Sequence, residues 1–160
     1  MRPEAKLDRN TRGDNKPELR LWLRLLTCAN LLEGEIRRRL RQEFATTLPR
    51  FDLLALLDRT SGGLTLTELS NRMMDSNGNL TGLVVRLAGN NLVERLPDPD
   101  DGRSTRVILT ALGKKYFDAM TPAHENWING MLVSLDKDDI GHLHYLLGKL
   151  KISASPRGTA

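Results

Sequence analysis

The stretch TLTELSNRMMDSNGNLTGLVVRLAGNNLVERLPDPDDGRSTRVILT, residues 65 to 110, decides the fold. Its first half predicts two short helices, over 65–74 and 76–90, with almost no linker between them, which is helix-turn-helix spacing. Thr65 and Glu68 fit a capping box at the start of the first helix. The second helix has an inward apolar face at helical spacing, made of Leu80, Leu83, Val84 and Leu87.

Two short runs of alternating residues follow the second helix and predict a β-hairpin. They cover 93–96 and 105–109, and Asp101 with Gly102 supplies the turn between them. A helix-turn-helix that is followed at once by a β-hairpin is a winged helix. The sequence therefore predicts a mainly α, α+β fold that contains a winged helix-turn-helix domain.

The outward face of the second helix carries small polar side chains and one arginine. In the major groove, amides and hydroxyls reach base edges, and Asn and Arg pair bidentately with adenine and guanine. The tip of the wing would lie along the minor groove, whose negative potential favours an inserted arginine. The predicted DNA-binding residues are Ser76, Asn77, Asn79, Thr81, Gly82, Arg86, Asp101, Arg103 and Arg106.

The two arginines of the hairpin have different predicted roles. Arg103 stands at the tip, where Asp101 could hold its guanidinium by a charge-assisted hydrogen bond. Arg106 stands at the base of the hairpin and is expected to contact phosphate. The alternative interpretation of the whole set is a solvated helix face next to an ordinary exposed hairpin.

The segments on both sides of this domain predict further helices. A long helical pattern begins at Pro17, and its first half is apolar on more than one face, which indicates burial against a partner subunit. A short helix follows, with Pro49 near its start and glycines at 62–63 after its end. Thr110 caps a long helix that Pro122 should bend. The last helix is amphipathic, with an apolar side made of Ile140, Leu143, Leu147 and Leu150.

These elements divide the chain into five parts. They are a mobile N-terminal arm (1–16), a dimerisation helix (17–46), the winged helix-turn-helix DNA-binding domain (47–112), C-terminal dimerisation helices (113–153) and a frayed tail (154–160). The arm mixes basic and acidic residues without periodicity. A solvated tail is therefore favoured over an arm that touches DNA.

Composition and motifs exclude several classes of protein. The chain has 160 residues, 39% of them hydrophobic and 28% charged, which suffices for one core without disulfides or metals. Lys and Arg exceed Asp and Glu by 24 to 20, an excess that permits a nucleic acid partner without requiring one. No secretory signal and no membrane-spanning run is visible, so the expected location is the cytoplasm.

No constellation of catalytic or metal-binding residues is visible in the sequence. His142 and His144 are two apart on a helix and face different sides, so they form no metal pair. No nucleophile motif and no phosphate-binding loop occurs. We therefore expect a protein that is not an enzyme and that needs no cofactor and no metal.

The sequence resembles the MarR family of winged helix-turn-helix transcription regulators over roughly residues 48 to 113, which include the quoted stretch. The family's wing signature, Asp-x-Arg followed by a strand, Leu-Thr and Gly, is matched by Asp101, Arg103, Leu109, Thr110 and Gly113. Its pattern for the preceding helix is matched by Ser76, Leu80, Thr81, Leu83, Val84, Arg86 and Leu87. The sequence departs from the family at Met74, Asp75, Gly82 and Asn91. These departures bear on which bases are read.

The resemblance implies a homodimer that binds double-stranded DNA at a near-palindromic operator, with recognition helices roughly 34 Å apart. It also implies a repressor that is released by a small aromatic or anionic effector. An aromatic acid would fit, as would an aryl-CoA thioester whose phosphates suit the basic run 37–41. The implied effector-binding residues are Trp22, Cys28, Arg50, Phe51, His124 and Trp127. The alternative for His124 and Trp127, which lie about one helical turn apart, is that both are ordinary packing or surface residues.

Two other functions remain as alternatives. A winged helix can bind protein instead of DNA, in which case binding would respond little to salt. Some members of the family sense peroxides through a cysteine in the first helix. Cys28 lies among leucines with no cation at hand to lower its pKa, so a buried structural thiol is favoured over a redox sensor.

Overall fold

A computed structural model of the chain describes residues 16–74 and 77–156. Its elements are α1 (Pro17–Phe44), α2 (Leu48–Asp58), β1 (Leu64–Thr65), α3 (Leu66–Met73), α4 (Asn77–Gly89), β2 (Val93–Pro97), β3 (Thr105–Leu109), α5 (Ala111–Met131) and α6 (Lys137–Ala154). This order confirms the predicted α+β winged helix-turn-helix fold. The predicted mobile arm up to residue 15, the caps Asp75 and Ser76, and residues 157–160 lie outside the described residues.

The three strands form one antiparallel sheet in the order β1-β3-β2. β2 and β3 are the predicted hairpin, in which Val93 is paired with Leu109 and Arg95 with Val107. β1 was not predicted, because two residues cannot show alternation. It pairs with the other edge of β3, with Leu64 opposite Val107. The wing is therefore joined by a third strand to the segment that precedes α3.

The core of the winged domain consists mostly of leucine. Its side chains with no more than 2% exposure come from α2, α3, α4 and the sheet, and include Leu53, Leu54, Leu64, Leu69, Leu80, Val84, Leu87 and Val107. The four predicted inward residues of α4 are all buried. A fully buried leucine contributes about 1.5–3 kcal/mol to folding, so α4 is firmly held. Phe51 of α2 and Phe117 of α5 extend this core, with ring centroids 5.3 Å apart.

Two predicted features at helix ends are confirmed. Asn91 adopts the left-handed backbone conformation just after α4, with φ of 59°, as Asn does at helix C-termini. The Thr110 hydroxyl accepts a hydrogen bond from the Gly113 N–H at 2.9 Å and so caps α5. α5 continues through Pro122, and the bend there stays a prediction.

The chain divides into two compact units at Met120, within α5. In the second unit, α6 begins with a capping box in which the Asp136 carboxylate accepts from the Asp139 N–H at 2.8 Å. No residue of α6 is buried. Its predicted apolar side remains 39–45% exposed, at Ile140, Leu143, Leu147 and Leu150. None of the helices within 16–74 and 77–156 is long and apolar enough to cross a membrane.

The first half of α1 is also uncovered. Cys28 is exposed within the single chain, which corrects the expectation of a buried structural thiol, because the leucines beside it on the same helix do not cover it. Trp22 on the same helix is 54% exposed. The arginines of the second half are paired along the helix, as a solvated face would be, in the ion pairs Arg37–Glu33, Arg38–Glu35 and Arg39–Glu35.

Candidate nucleic-acid interface

The first helix of the helix-turn-helix, α3, is fixed at its start by the predicted capping box. The Thr65 hydroxyl accepts from the Glu68 N–H at 3.2 Å, and the Glu68 carboxylate accepts from the Thr65 N–H at 2.7 Å. The hydrogen bond from the Thr65 backbone holds the pKa of Glu68 below its ordinary value. Leu69 anchors the helix, with no exposed surface. The turn that follows begins at Met74, which is left-handed and 94% exposed.

The second helix, α4, exposes the face that was predicted to read DNA. Asn79, Thr81, Val85 and Arg86 are exposed on the side opposite the buried leucines. Gly82 lies between them, and a Cβ there would be 3.5 Å from the Arg86 guanidinium. This is ordinary van der Waals contact, so an alanine would also fit beside the arginine. Ser76 and the side chain of Asn77 lie outside the described part of the structure.

The loop of the wing is ordered by its own hydrogen bonds. The Asp98 N–H donates to the Ser104 carbonyl, and the Ser104 N–H donates to the Asp101 carbonyl, both at 2.9 Å. The Asp101 carboxylate accepts from the backbone N–H of Arg103 at 3.0 Å. This contact differs from the predicted bond to the Arg103 guanidinium: Asp101 shapes the turn. Arg103 itself is exposed at the tip, where the minor-groove prediction needs it.

Arg106 lies where it was expected, at the base of the hairpin, but its guanidinium has partners inside the protein. One terminal nitrogen donates to the Gly63 carbonyl at 3.0 Å, and the other donates to the Asp98 carboxylate at 3.3 Å. The side chain of Arg106 is 23% exposed and that of Asp98 is 7% exposed. These contacts favour a structural role over the predicted phosphate contact. Asp98 was not singled out from the sequence, since its partner is set by tertiary contacts.

The predicted effector-binding residues are found in several environments. Trp22 and Cys28 are exposed on α1. Phe51 is buried against Phe117, so it belongs to the core. His124 and Trp127 make an edge-to-face contact, with ring centroids 6.3 Å apart, and Trp127 is buried. Arg50 is half-buried, and its buried Nε has no hydrogen-bond partner within the described part of the chain.

The described residues hold no cluster of three or more His, Cys, Asp or Glu side chains that could bind a metal. The helix-turn-helix is anchored by its buried face and exposes hydroxyl, amide and guanidinium groups, and the wing beside it has an arginine at its tip. This arrangement defines a winged-helix DNA-binding protein. The MarR family model matches residues 46–105. The chain is 31% identical over 153 residues to the Transcriptional activatory protein BadR of Rhodopseudomonas palustris, covering 92% of this chain and 87% of that one.

Solved structures agree with this fold. Sco3205 from Streptomyces coelicolor, a MarR family transcriptional regulator in complex with DNA, has a TM-score of 0.78 at 23% identity, over 90% of this chain and 95% of that one. A mutant MarR from E. coli complexed with operator DNA has a TM-score of 0.72 at 26% identity, over 86% and 99%. The chain belongs to the MarR family. It is a DNA-binding transcription regulator and not an enzyme.

Proposed function

We propose that the chain binds a near-palindromic operator as a homodimer and represses transcription until a small anionic aromatic molecule releases it. The observation that carries the DNA-binding part is the pairing of two exposed elements on one buried scaffold. α4 offers Asn79, Thr81 and Arg86 to the major groove, and the wing offers Arg103 to the minor groove.

The homodimer is supported by apolar surface at both ends of the chain. Large side chains stay exposed on α1, such as Leu21 at 61% and Trp22 at 54%. The apolar side of α6 is exposed as well. A second copy that covers these helices would place two α4 helices about one DNA turn, roughly 34 Å, apart.

Binding is tested by fluorescence anisotropy of the full chain on its own promoter fragment. We expect Arg86→Ala to weaken binding and relax discrimination at one base position, at a cost of about 1–3 kcal/mol. Arg103→Ala should weaken binding most at A·T-rich flanks. The control is Arg41→Ala, which removes an exposed arginine from α1. Binding that is indifferent to salt between about 50 and 200 mM would indicate a protein-binding module instead.

The effector proposal rests on Arg50. The buried Nε of Arg50 has no partner among the described residues, and burying an unsatisfied donor costs about 1–3 kcal/mol. A carboxylate would supply the missing acceptor. An aromatic acid would meet this requirement with its carboxylate, whereas in its CoA thioester the thioester carbonyl oxygen would be the acceptor.

This part is tested by thermal shift against benzoate, hydroxybenzoates and benzoyl-CoA. A ligand at one hundred times its Kd stabilises the native state by about 2.7 kcal/mol. Arg50→Gln should abolish the shift, whereas Arg59→Gln, at an exposed arginine just after the same helix and with the same change of charge, should keep it. If every acid stabilises both variants equally, Arg50 is not the anion-binding residue.

Activation of transcription is a second candidate, favoured by the name of the relative from Rhodopseudomonas palustris, a transcriptional activatory protein. The same operator binding gives either sign, depending on where the site lies relative to the promoter. Deleting the gene decides between them. Transcript levels of the target rise if the chain represses and fall if it activates.

A further inference from the structure

We propose that Asp98 and Arg106 are positioning residues for DNA binding, which aim the wing by tying it to the turn before β1. The proposal rests on the proposed contact between the wing and the minor groove. It gives Arg106 a role that differs from direct contact with phosphate. It also gives a functional role to a buried acid in a loop that meets DNA.

The tie is the set of hydrogen bonds that links Asp98 in the wing loop to Gly63 before β1 through the guanidinium of Arg106. Arg106 donates to the Gly63 carbonyl at 3.0 Å and to the Asp98 carboxylate at 3.3 Å. The other carboxylate oxygen of Asp98 accepts from the Asp100 N–H at 3.0 Å. The Asp98 N–H closes the loop on the Ser104 carbonyl at 2.9 Å. Asp98 therefore sets both the shape of the loop and its attachment.

The anchor at the other end of the tie is rigid. Gly63 has φ of 76°, which side-chain-bearing residues rarely adopt. A Cβ at this position would overlap the Val107 carbonyl oxygen and come within 2.6 Å of Ile108 Cγ2. The Gly63 backbone is thus packed directly on β3. Two residues later, Thr65 begins the capping box of α3. The same short backbone segment therefore holds the wing and starts the helix-turn-helix.

The negative charge of Asp98 makes its two possible roles predict opposite effects on DNA affinity. DNA is a polyanion, so electrostatics alone predicts that neutralising an acid in the wing loop tightens binding. A positioning role predicts the opposite for Asp98, because its neutral form holds Arg106 less firmly and lets the loop move. The exposed neighbour Asp100 has the same charge in the same loop and offers a matched control.

The experiment measures operator affinity of the full chain, by anisotropy, on probes with A·T-rich and G·C-rich flanks. Asp98→Asn is expected to bind the A·T-rich probe roughly tenfold more weakly, an effect comparable to a lost base contact, and to lose discrimination between flanks. Asp100→Asn should bind as tightly as wild type or more tightly. Arg106→Lys keeps the charge but not the two-pronged geometry, and should behave like Asp98→Asn.

Coupling and local order complete the test. The double variant Asp98→Asn/Arg106→Lys should be no weaker than either single variant, because both act through one contact. Hydrogen exchange at the amides of Asp98 and Ser104, measured without DNA, should be faster in both single variants and unchanged in Asp100→Asn. Because exchange is measured without DNA, these amides test the tie even if the wild-type chain does not bind the operator. A failure of the wild-type chain to bind would count against the proposed function and not against the tie.

Three results would overturn the proposal. The first is an Asp98→Asn variant that binds as tightly as Asp100→Asn. The second is an Arg106→Lys variant with wild-type affinity and flank discrimination, as expected of a phosphate contact. The third is unchanged amide exchange in both single variants.

Discussion

The winged domain and α6 show the same local sequence signals for helices, yet only the winged domain buries its leucines. α3 and α6 both begin with a capping box, at Thr65 and at Asp136. α4 and α6 both carry leucines at helical spacing. Leu80 and Leu87 have no exposed surface, whereas Leu147 is 39% exposed and no residue of α6 is buried. Local sequence therefore specifies a helix equally well in both places, and what differs is whether other described residues cover its apolar side.

The largest expected effect comes from a glycine at the edge of the winged domain. A Cβ on Gly113 would overlap the Leu92 carbonyl oxygen and lie 2.8 Å from Leu109 Cδ1. Because the Leu92 backbone must move, we expect Gly113→Ala to lower the free energy of unfolding by about 3 kcal/mol. Urea denaturation followed by circular dichroism measures this change.

Gly130, later in the same helix α5, is the matched control. Among the described residues, nothing beyond its own stretch of helix backbone lies within 4 Å of a Cβ there, and alanine is the better helix former by about 0.5–1 kcal/mol. Gly130→Ala should therefore be neutral or slightly stabilising. Similar losses at the two glycines would mean that close packing does not distinguish the two regions.

The next effect concerns the surface that α6 leaves uncovered. If a second copy buries Leu147, then Leu147→Glu should raise the dissociation constant of the dimer by about a hundredfold, since each of two equivalent leucines contributes about 1.5 kcal/mol or more. Analytical ultracentrifugation measures the constant. The circular dichroism of the winged domain should not change, because its core is complete within one chain.

Lys149 provides the control for this variant. It lies two residues further along α6, on roughly the opposite side of the helix, and Lys149→Gln changes the charge by the same amount as Leu147→Glu. We expect Lys149→Gln to leave dimerisation intact. Equal weakening by both substitutions would show that charge, and not the apolar stripe, governs assembly.

Local signals made much of the winged domain predictable. The Thr65 capping box, the buried face of α4 and the left-handed Asn91 each depend on residues close in sequence. What the sequence could not show depends on distant residues. Arg106 donates to Gly63, 43 positions away, and this bond, with the bond to Asp98, alters the interpretation of the wing. The exposure of Cys28 was mispredicted because apolar neighbours in a helix do not say which surface covers them.

The smallest expected effect concerns the pKa values of two carboxylates, one on the exposed face of α1 and one in the winged domain. Glu35 on α1 is hydrogen-bonded to the side chains of Arg38 and Arg39, which lowers its pKa to about 2. Glu68 on α3 has a lowered pKa whose largest cause is the hydrogen bond from the Thr65 backbone. In both cases the charged form is favoured by the folded state. The stabilisation is therefore present above the ordinary pKa and is lost as pH falls towards the folded value.

Added salt should change the pKa values of the two carboxylates to different extents. Exposed ion pairs are screened, with a Debye length of about 10 Å at 0.1 M and about 3 Å at 1 M, whereas a backbone hydrogen bond within a capping box acts at contact distance. We expect the pKa of Glu35 to rise towards 4.5 when salt is raised to about 1 M, and the pKa of Glu68 to stay lowered. NMR titration of the two carboxyl carbons at both salt concentrations checks this. Equal rises would mean that the capping box, too, is held mainly by long-range charge, and that the winged domain is no better insulated from solvent than α1.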